Sequence, residues 1–307
     1  MFTGRTTRTV AATAIAALAA LALAGCGGNP LDKPSDKPAA SGGSDQTIVV
    51  GSQAYYSNEI IAEIYAQALE DAGFTVEKKF NIGQRDAYMP EVESGQIDLF
   101  PEYTGNLLEY LDKSAKATGP DEVYAALKDA LPSGLVALDY AQATDQDTYT
   151  VTKATADKYG LVEIGDLAKA DKKLTIGAAP EFEKRPYGPA AAKTDYGVDL
   201  NFSATGPTTL ESLLAGKIDV ADIYSADPAF KTEKIVALKD PKNMILSSNV
   251  VPIASEDIAD DISKTINAVS AKLTVDELIG LNVQSTVDKK EPAAIAKAWL
   301  ADQGLVG

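Results

Sequence analysis

"VESGQIDLFPEY" at residues 92–103 and "LLAGKIDVADIYSADP" at 213–228 share one plan: the end of a helix, then Gly-Gln/Lys-Ile-Asp, then a strand finishing in an aromatic residue. A helix-to-strand unit used twice in one chain predicts two similar α/β lobes. Each would present rings at the carboxyl end of a strand, the edge where open α/β sheets receive ligands. Phe100 and Tyr103 would then face a cleft, with Tyr224 approaching from the other lobe. Packing of the same rings under loops as an outlying part of the core is the alternative, and the pattern leaves both open.

The surrounding chain supports the alternation. "TIVVG" from Thr47 reads as a buried strand. Residues 58–72 place Ile60, Ile61, Ile64, Tyr65, Ala68 and Leu69 at helical spacing, with Ser57 as N-cap and Gly73 as the stop. "TVEKKF" comes next as a strand, and further strands are expected near 148–152, 174–178, 220–224 and 250–253. Thr208 with Glu211 and Thr274 with Glu277 are spaced as capping boxes, and Asp227-Pro228 as an N-cap succeeded by proline.

Composition narrows the chemistry. The 307 residues suffice for two lobes, with 45% hydrophobic and 23% charged residues, as in globular proteins. A formal charge of −16 opposes a nucleic-acid groove or an anionic membrane surface, so no nucleic-acid partner is expected. Histidine is absent and Cys26 is the only cysteine, which removes histidine acid–base chemistry, disulfides and Cys/His metal sites. Neither a metal nor a cofactor is expected.

Residues 1–25 have the parts of a signal peptide: Arg5 and Arg8, an apolar run over 10–24, then small residues. "LAGC" at residues 23–26 resembles a bacterial lipobox, which would make Cys26 the lipidated first residue of the mature chain; a plain secretory signal is the other reading. Loss of Arg5 and Arg8 takes the formal charge from −16 to −18. Residues 27–46, "GGNPLDKPSDKPAASGGSDQ", lack apolar periodicity and read as a flexible tether with a reach on the order of 60 Å.

Several stretches together resemble a known family. "TIVVGSQAYYSNEIIAEIYAQALEDAGFTVEKKFNIG", "GQIDLFPEYTGNLL", "DTYTVTKATADKYGLVEIGDLAK", "EFEKRPYG" and "GKIDVADIYSADP" are similar, in that order, to the substrate-binding lipoproteins of ABC importers for quaternary-amine osmoprotectants such as glycine betaine, choline and carnitine. The resemblance implies a two-lobe, type II periplasmic-binding-protein-like α/β fold with lobes joined by two crossing strands. It assigns 47–145 and 250–307 to the first lobe and 146–249 to the second, with crossings near Gln146 and 247–249. It also implies a ligand held between the lobes in an aromatic cage. A trimethylammonium group cannot donate a hydrogen bond, so the negative faces of several rings are its favourable partners. Thirteen tyrosines against one tryptophan suit such a cage.

Carried over residue by residue, Phe100 matches a cage position where the family usually has tyrosine. Tyr103 and Thr104 match "EYTG"; Phe182, Arg185 and Tyr187 match the second-lobe stretch; Tyr224 matches its strand end; and Tyr149 matches a tyrosine near the first crossing. The family usually reads Gly-Ser-Lys after the first strand, with the lysine holding a ligand carboxylate; here Ser52 is succeeded by Gln53, with Tyr55 close behind. Either Arg85 or Arg185 replaces that lysine, or the ligand carries its carboxylate elsewhere or not at all.

These residues lead to an expected non-enzymatic, monomeric binding protein on the extracytoplasmic face of the cell membrane. It would be anchored through Cys26 and deliver a small quaternary amine to an ABC permease with a separate ATPase, since no GxxxxGK[ST] occurs. A two-lobe binding protein for another small solute, such as an amino acid, is the alternative. A carboxylate enzyme built on Glu91 and Glu93 or Glu181 and Glu183 belongs to another class, but acids two apart ordinarily form solvated surface.

Overall fold

The computed structural model describes residues 47–307; the expected signal peptide, the expected lipidation site Cys26 and the expected tether lie outside the described residues. The first part of the chain runs β1 (Ile48–Gly51), α1 (Tyr56–Asp71), β2 (Val76–Lys79), α2 (Arg85–Glu93), β3 (Leu99–Tyr103), α3 (Thr104–Leu111), α4 (Pro120–Ala130) and β4 (Leu135–Ala137). It continues through β5 (Tyr149–Thr152), α5 (Lys153–Tyr159), β6 (Thr175–Ala178), α6 (Pro189–Tyr196), β7 (Asn201–Ala204), α7 (Thr209–Leu214), β8 (Val220–Asp222), α8 (Ala229–Thr232) and β9 (Ile235–Ala237). The chain returns as β10 (Val250–Ser255) and ends in α9 (Glu256–Lys272), α10 (Val275–Thr286) and α11 (Pro292–Asp302).

The strands form two five-stranded sheets of matching design, β2-β1-β3-β10-β4 and β7-β6-β8-β5-β9. In each, a parallel trio carries one antiparallel strand beside its third member: β10 against β3, and β5 against β8. Both inserted strands arrive from the other half of the chain, so each sheet is completed by a segment that has just crossed. Apolar clusters cover both faces of each sheet. Around the first, Ile60, Ile64, Leu69, Ile262 and Trp299 fill one side and Met89, Leu107, Val123 and Val251 the other. Each fully buried aliphatic side chain there contributes about 1.5–3 kcal/mol relative to exposure.

The duplicated sequence becomes a duplicated turn. Gly95 and Gly216 both adopt left-handed φ, +71° and +67°, which closes α2 and α7 at little steric cost. The aspartate three residues on caps the neighbouring strand: Asp98 Oδ2 accepts from Val49 N at 2.8 Å, and Asp219 Oδ2 from Thr175 N at 3.0 Å. The isoleucines between, Ile97 and Ile218, are buried. Gly-x-Ile-Asp is therefore a device for returning a helix into a parallel strand.

Two segments link the sheets. Thr144 and Asn249 pair as an antiparallel bridge, Asp145 N donates to Ser248 O at 3.1 Å, and Ser248 N donates to Gln146 Oε1 at 2.9 Å. Ser225 Oγ donates to Thr144 O at 2.9 Å and lies 2.8 Å from Thr144 Oγ1, which binds the loop after β8 to the first crossing. A Cβ on Gly105 would meet Ser247 O at 2.5 Å, so glycine is required where α3 begins under the second crossing. The loop after β8 is also clasped by α10: Asn282 Nδ2 donates to Ala226 O and Lys231 Nζ to Asp276 O. Among the described residues no helix is long and apolar enough to cross a membrane.

Local expectations met different outcomes. Thr274 caps α10 by accepting from Glu277 N at 3.2 Å. Thr208 caps nothing; its hydroxyl donates to Thr205 O because a tight 3-10 turn over Gly206–Thr208 precedes α7. Ser57 lies inside α1, whose N-cap is Tyr55, whereas Asp227 Oδ1 accepts from Ala229 N as a cap does, although α8 itself starts one residue later than expected, at Ala229.

Candidate functional site

Where the first crossing meets the carboxyl ends of β1 and β3, a cavity of about 290 Å³ opens. Gln53 and Tyr55 come from the loop after β1, Arg85 from the start of α2, Tyr103 from the end of β3, Asp145 from the crossing, and Tyr224 from the loop after β8. Tyr224 is 55% exposed, while Tyr55 and Tyr56 are half-buried with ring centroids 4.8 Å apart. Across the crossing, Tyr187 donates its hydroxyl to Asp147 Oδ2 at 2.9 Å, and Asp222 ends β8 beside them.

Carboxylates dominate the electrostatics. Burial pushes the Asp145 carboxyl up to about 7; Tyr55 pulls against this, while Asp227 and Asp147 add repulsion. Asp222 is held well above the usual carboxylate range, by burial and then by the adjacent Asp147. Burial likewise raises the phenols of Tyr55, Tyr103 and Tyr187, and Tyr224 reaches about 12, so the rings stay neutral near pH 7. Asp145 Oδ1, Asp222 Oδ1 and the Tyr103 hydroxyl are enclosed without a hydrogen-bond partner. Asn58 and Ser57 adjoin the Tyr103 hydroxyl; Asn58 Nδ2 donates to Pro101 O and its Oδ1 accepts from Gln53 N.

Several expected site residues lie elsewhere. Phe100 is fully buried, stacked on Tyr88 at 4.1 Å in the core over the first sheet, so it presents no face to the cavity. Ser52 is fully buried and its Oγ accepts from Asn81 N, fixing the β1–β2 edge. Thr104 is also buried; its Oγ1 accepts from Asn249 N and donates to Ser247 O, bracing the second crossing. Tyr149 and Phe182 are core residues of the second sheet, with centroids 6.0 Å apart, and the Tyr149 hydroxyl donates to Tyr187 O. They support Tyr187, whose ring lies 5.9 Å from Phe182.

Arg85 lines the cavity but is already engaged. Its Nε and Nη2 form two bonds of 2.8 and 2.9 Å to Glu102, which also accepts from the Tyr88 hydroxyl at 2.5 Å and from Tyr103 N at 2.9 Å. The guanidinium is thus neutralised rather than offered to a ligand carboxylate, contrary to one of the two substitutes expected for the missing lysine. Arg185 is exposed, with Asp147 and Glu109 as its nearby anions. Gln53, Tyr55, Tyr103 and Tyr224 come together at the cavity, and Tyr187 stands across the crossing.

The sequence reading missed Asp145, Asp147, Asp222 and Asp227. The available signal was an acidic pair two apart in "TDQDTY", at an expected crossing, and an acid two residues before the strand-end tyrosine in "VADIY". A larger cavity, about 750 Å³, lies between residues 108–118 and 186–246. Lys113, Lys116 and Lys242 share it with Glu109, Asp112 and Asp195, and Tyr187 is its one ring, so it offers a cation no comparable set of partners.

Two sheets of one design, each completed by the other half of the chain and joined by paired crossings beside this cavity, define a two-lobe binding protein of the periplasmic type. The chain belongs to the family described as the substrate binding domain of ABC-type glycine betaine transport system, which matches residues 46–302. It is 26% identical over 275 residues to the carnitine transport binding protein OpuCC of Listeria monocytogenes, covering 86% of this chain and 89% of that protein. It is 23% identical over 276 residues to the glycine betaine-binding protein YehZ of Escherichia coli strain K12, covering 84% and 90%. Among solved structures, a glycine betaine/carnitine/choline ABC transporter superposes with a TM-score of 0.78 at 23% identity, covering 84% of this chain and 99% of the other.

Proposed function

We propose that the protein captures a quaternary-ammonium osmoprotectant between its lobes and hands it to an ABC permease driven by a separate ATPase. The supporting observation is the convergence of neutral tyrosine rings and the unpartnered Asp145 carboxyl oxygen at one cavity, in a member of a glycine betaine-transport family. Tyr55, Tyr103 and Tyr224 offer faces to an onium group, and Tyr187 closes from the other side when the second lobe swings about the crossings. Each face contributes about 0.5–2 kcal/mol, so four reach roughly 8 at most, the scale of micromolar affinity.

In this reading the lobes comprise 47–145 with 250–307 and 146–249, hinged near Gln146 and 247–249. The protein stands on the extracytoplasmic face, held by a lipid on Cys26. Calorimetric titration with glycine betaine, choline, carnitine and proline betaine tests the solute: micromolar binding of at least one supports the reading, and binding of amino acids alone would sink it. Release of the protein from the membrane fraction by Cys26→Ala tests the anchor.

A further inference from the structure

The proposed reading leaves open whether the solute is a zwitterion or a net cation, and the charges around the cavity discriminate. A betaine or carnitine carboxylate needs a cationic or multiply donating partner. Position 53 is glutamine, Arg85 is bound twice by Glu102, and Arg185 is exposed and within the field of Asp147 and Glu109. Against these stand Asp145, Asp147, Asp222 and Asp227, which act on one another across the crossing.

A second observation concerns hydrogen bonding. Tyr103 is 5% exposed, lines the cavity, and has an enclosed hydroxyl with no partner; Asp145, beside it, has a carboxyl oxygen in the same condition. Enclosed polar groups cost free energy until satisfied. A donor and an acceptor left open together match a ligand hydroxyl, which accepts from one and donates to the other. A ligand carboxylate would only accept, and would stand against the acidic cluster.

Resting on the quaternary-amine reading, we infer that this site selects a net-cationic quaternary ammonium alcohol, of the choline type, over zwitterionic betaines. The onium group sits among the tyrosine faces and within the field of the aspartates, and the hydroxyl bridges Tyr103 and Asp145. The titratable groups facing Asp145 are Tyr55, Tyr56, Tyr103 and Tyr224 with Asp227 and Asp147. A bound cation favours its ionised form, so binding releases protons and strengthens as pH rises from 6 to 8. A bound carboxylate would favour the protonated form and strengthen in the opposite direction.

The test is calorimetry of the purified protein with choline chloride, glycine betaine and carnitine at fixed ionic strength, at pH 6 and 8 and in two buffers of different ionisation enthalpy. The expected result is choline bound about tenfold or more tighter than either zwitterion at pH 8, with net proton release. Asp145→Asn and Asp222→Asn are each expected to weaken choline about tenfold while glycine betaine binding holds or improves, with thermal melts confirming that each variant is folded. Tighter binding of a zwitterion, proton uptake with choline, or undiminished choline affinity in both folded variants would overturn the inference and leave the quaternary-amine reading standing. Failure of all three solutes to bind would bring down that reading and the inference with it.

Discussion

β3 and β8 hold the same place in their sheets and succeed the same turn, yet their side chains have diverged. Counting from the capping aspartate, Phe100 is two residues beyond Asp98 and its counterpart two beyond Asp219 is Ala221; both are fully buried. Five residues beyond, Tyr103 corresponds to Tyr224. Tyr103 is 5% exposed because α3 starts at once under the second crossing, whereas Tyr224 has left its strand and is 55% exposed. Between them, buried Glu102, held by Arg85 and Tyr88, stands where the second lobe has Ile223. The shared plan thus comprises a turn and a strand, and the proposed binding chemistry lies at the strand ends and in the loops leaving them.

The comparison is most exposed to attack at Phe100. Alanine there should cost about 3–5 kcal/mol of stability, measured by denaturant unfolding, because a packed ring leaves a cavity. A loss confined to ligand affinity would return Phe100 to the binding site. At the other strand end, Tyr224→Ala should weaken choline or betaine by about 1–3 kcal/mol in calorimetry with the melting temperature of the free protein nearly unchanged.

A smaller effect concerns pH. Asp145 titrates higher in the folded protein than in the unfolded chain, so the folded state binds the extra proton. Its contribution to stability is present in full below the ordinary carboxylate pKa and is lost as pH rises through about 7. Ligand-free protein should therefore lose stability over that interval, and Asp145→Asn should flatten the slope seen in thermal melts. Smallest and most symmetrical, Gly95→Ala and Gly216→Ala should each cost about 1 kcal/mol, since both have open space for a Cβ and only the left-handed φ resists it. Unequal costs would show that the two turns are not equivalent.

How much of this was legible in the sequence depends on range. Helical spacing in α1, the stop at Gly73 and the cap at Thr274 are local patterns, and the structure contains them. Phe100 was misplaced although alternation along β3 was available: Leu99 and Phe100 face opposite apolar clusters, and neither lies past the strand end. The exchange of β5 and β10 between sheets depends on pairing between distant segments, which no local spacing encodes. The engagement of Arg85, one of the two expected lysine substitutes, has no local signal because its partner, Glu102, lies beyond α2 in "PEYTG". The aspartates come from separate segments and converge only after folding.

The clasp of α10 on the loop after β8 has a kinetic consequence. Asn282 and Lys231 fasten Tyr224 to the half of the molecule that also carries Tyr55 and Tyr103. These three rings already line one cavity in this structure, so on the proposed function it is Tyr187 that has to be brought to them. On that proposal, arrival would be governed by diffusion into a standing receptacle, while dwell time would be set by how often Tyr187 swings away.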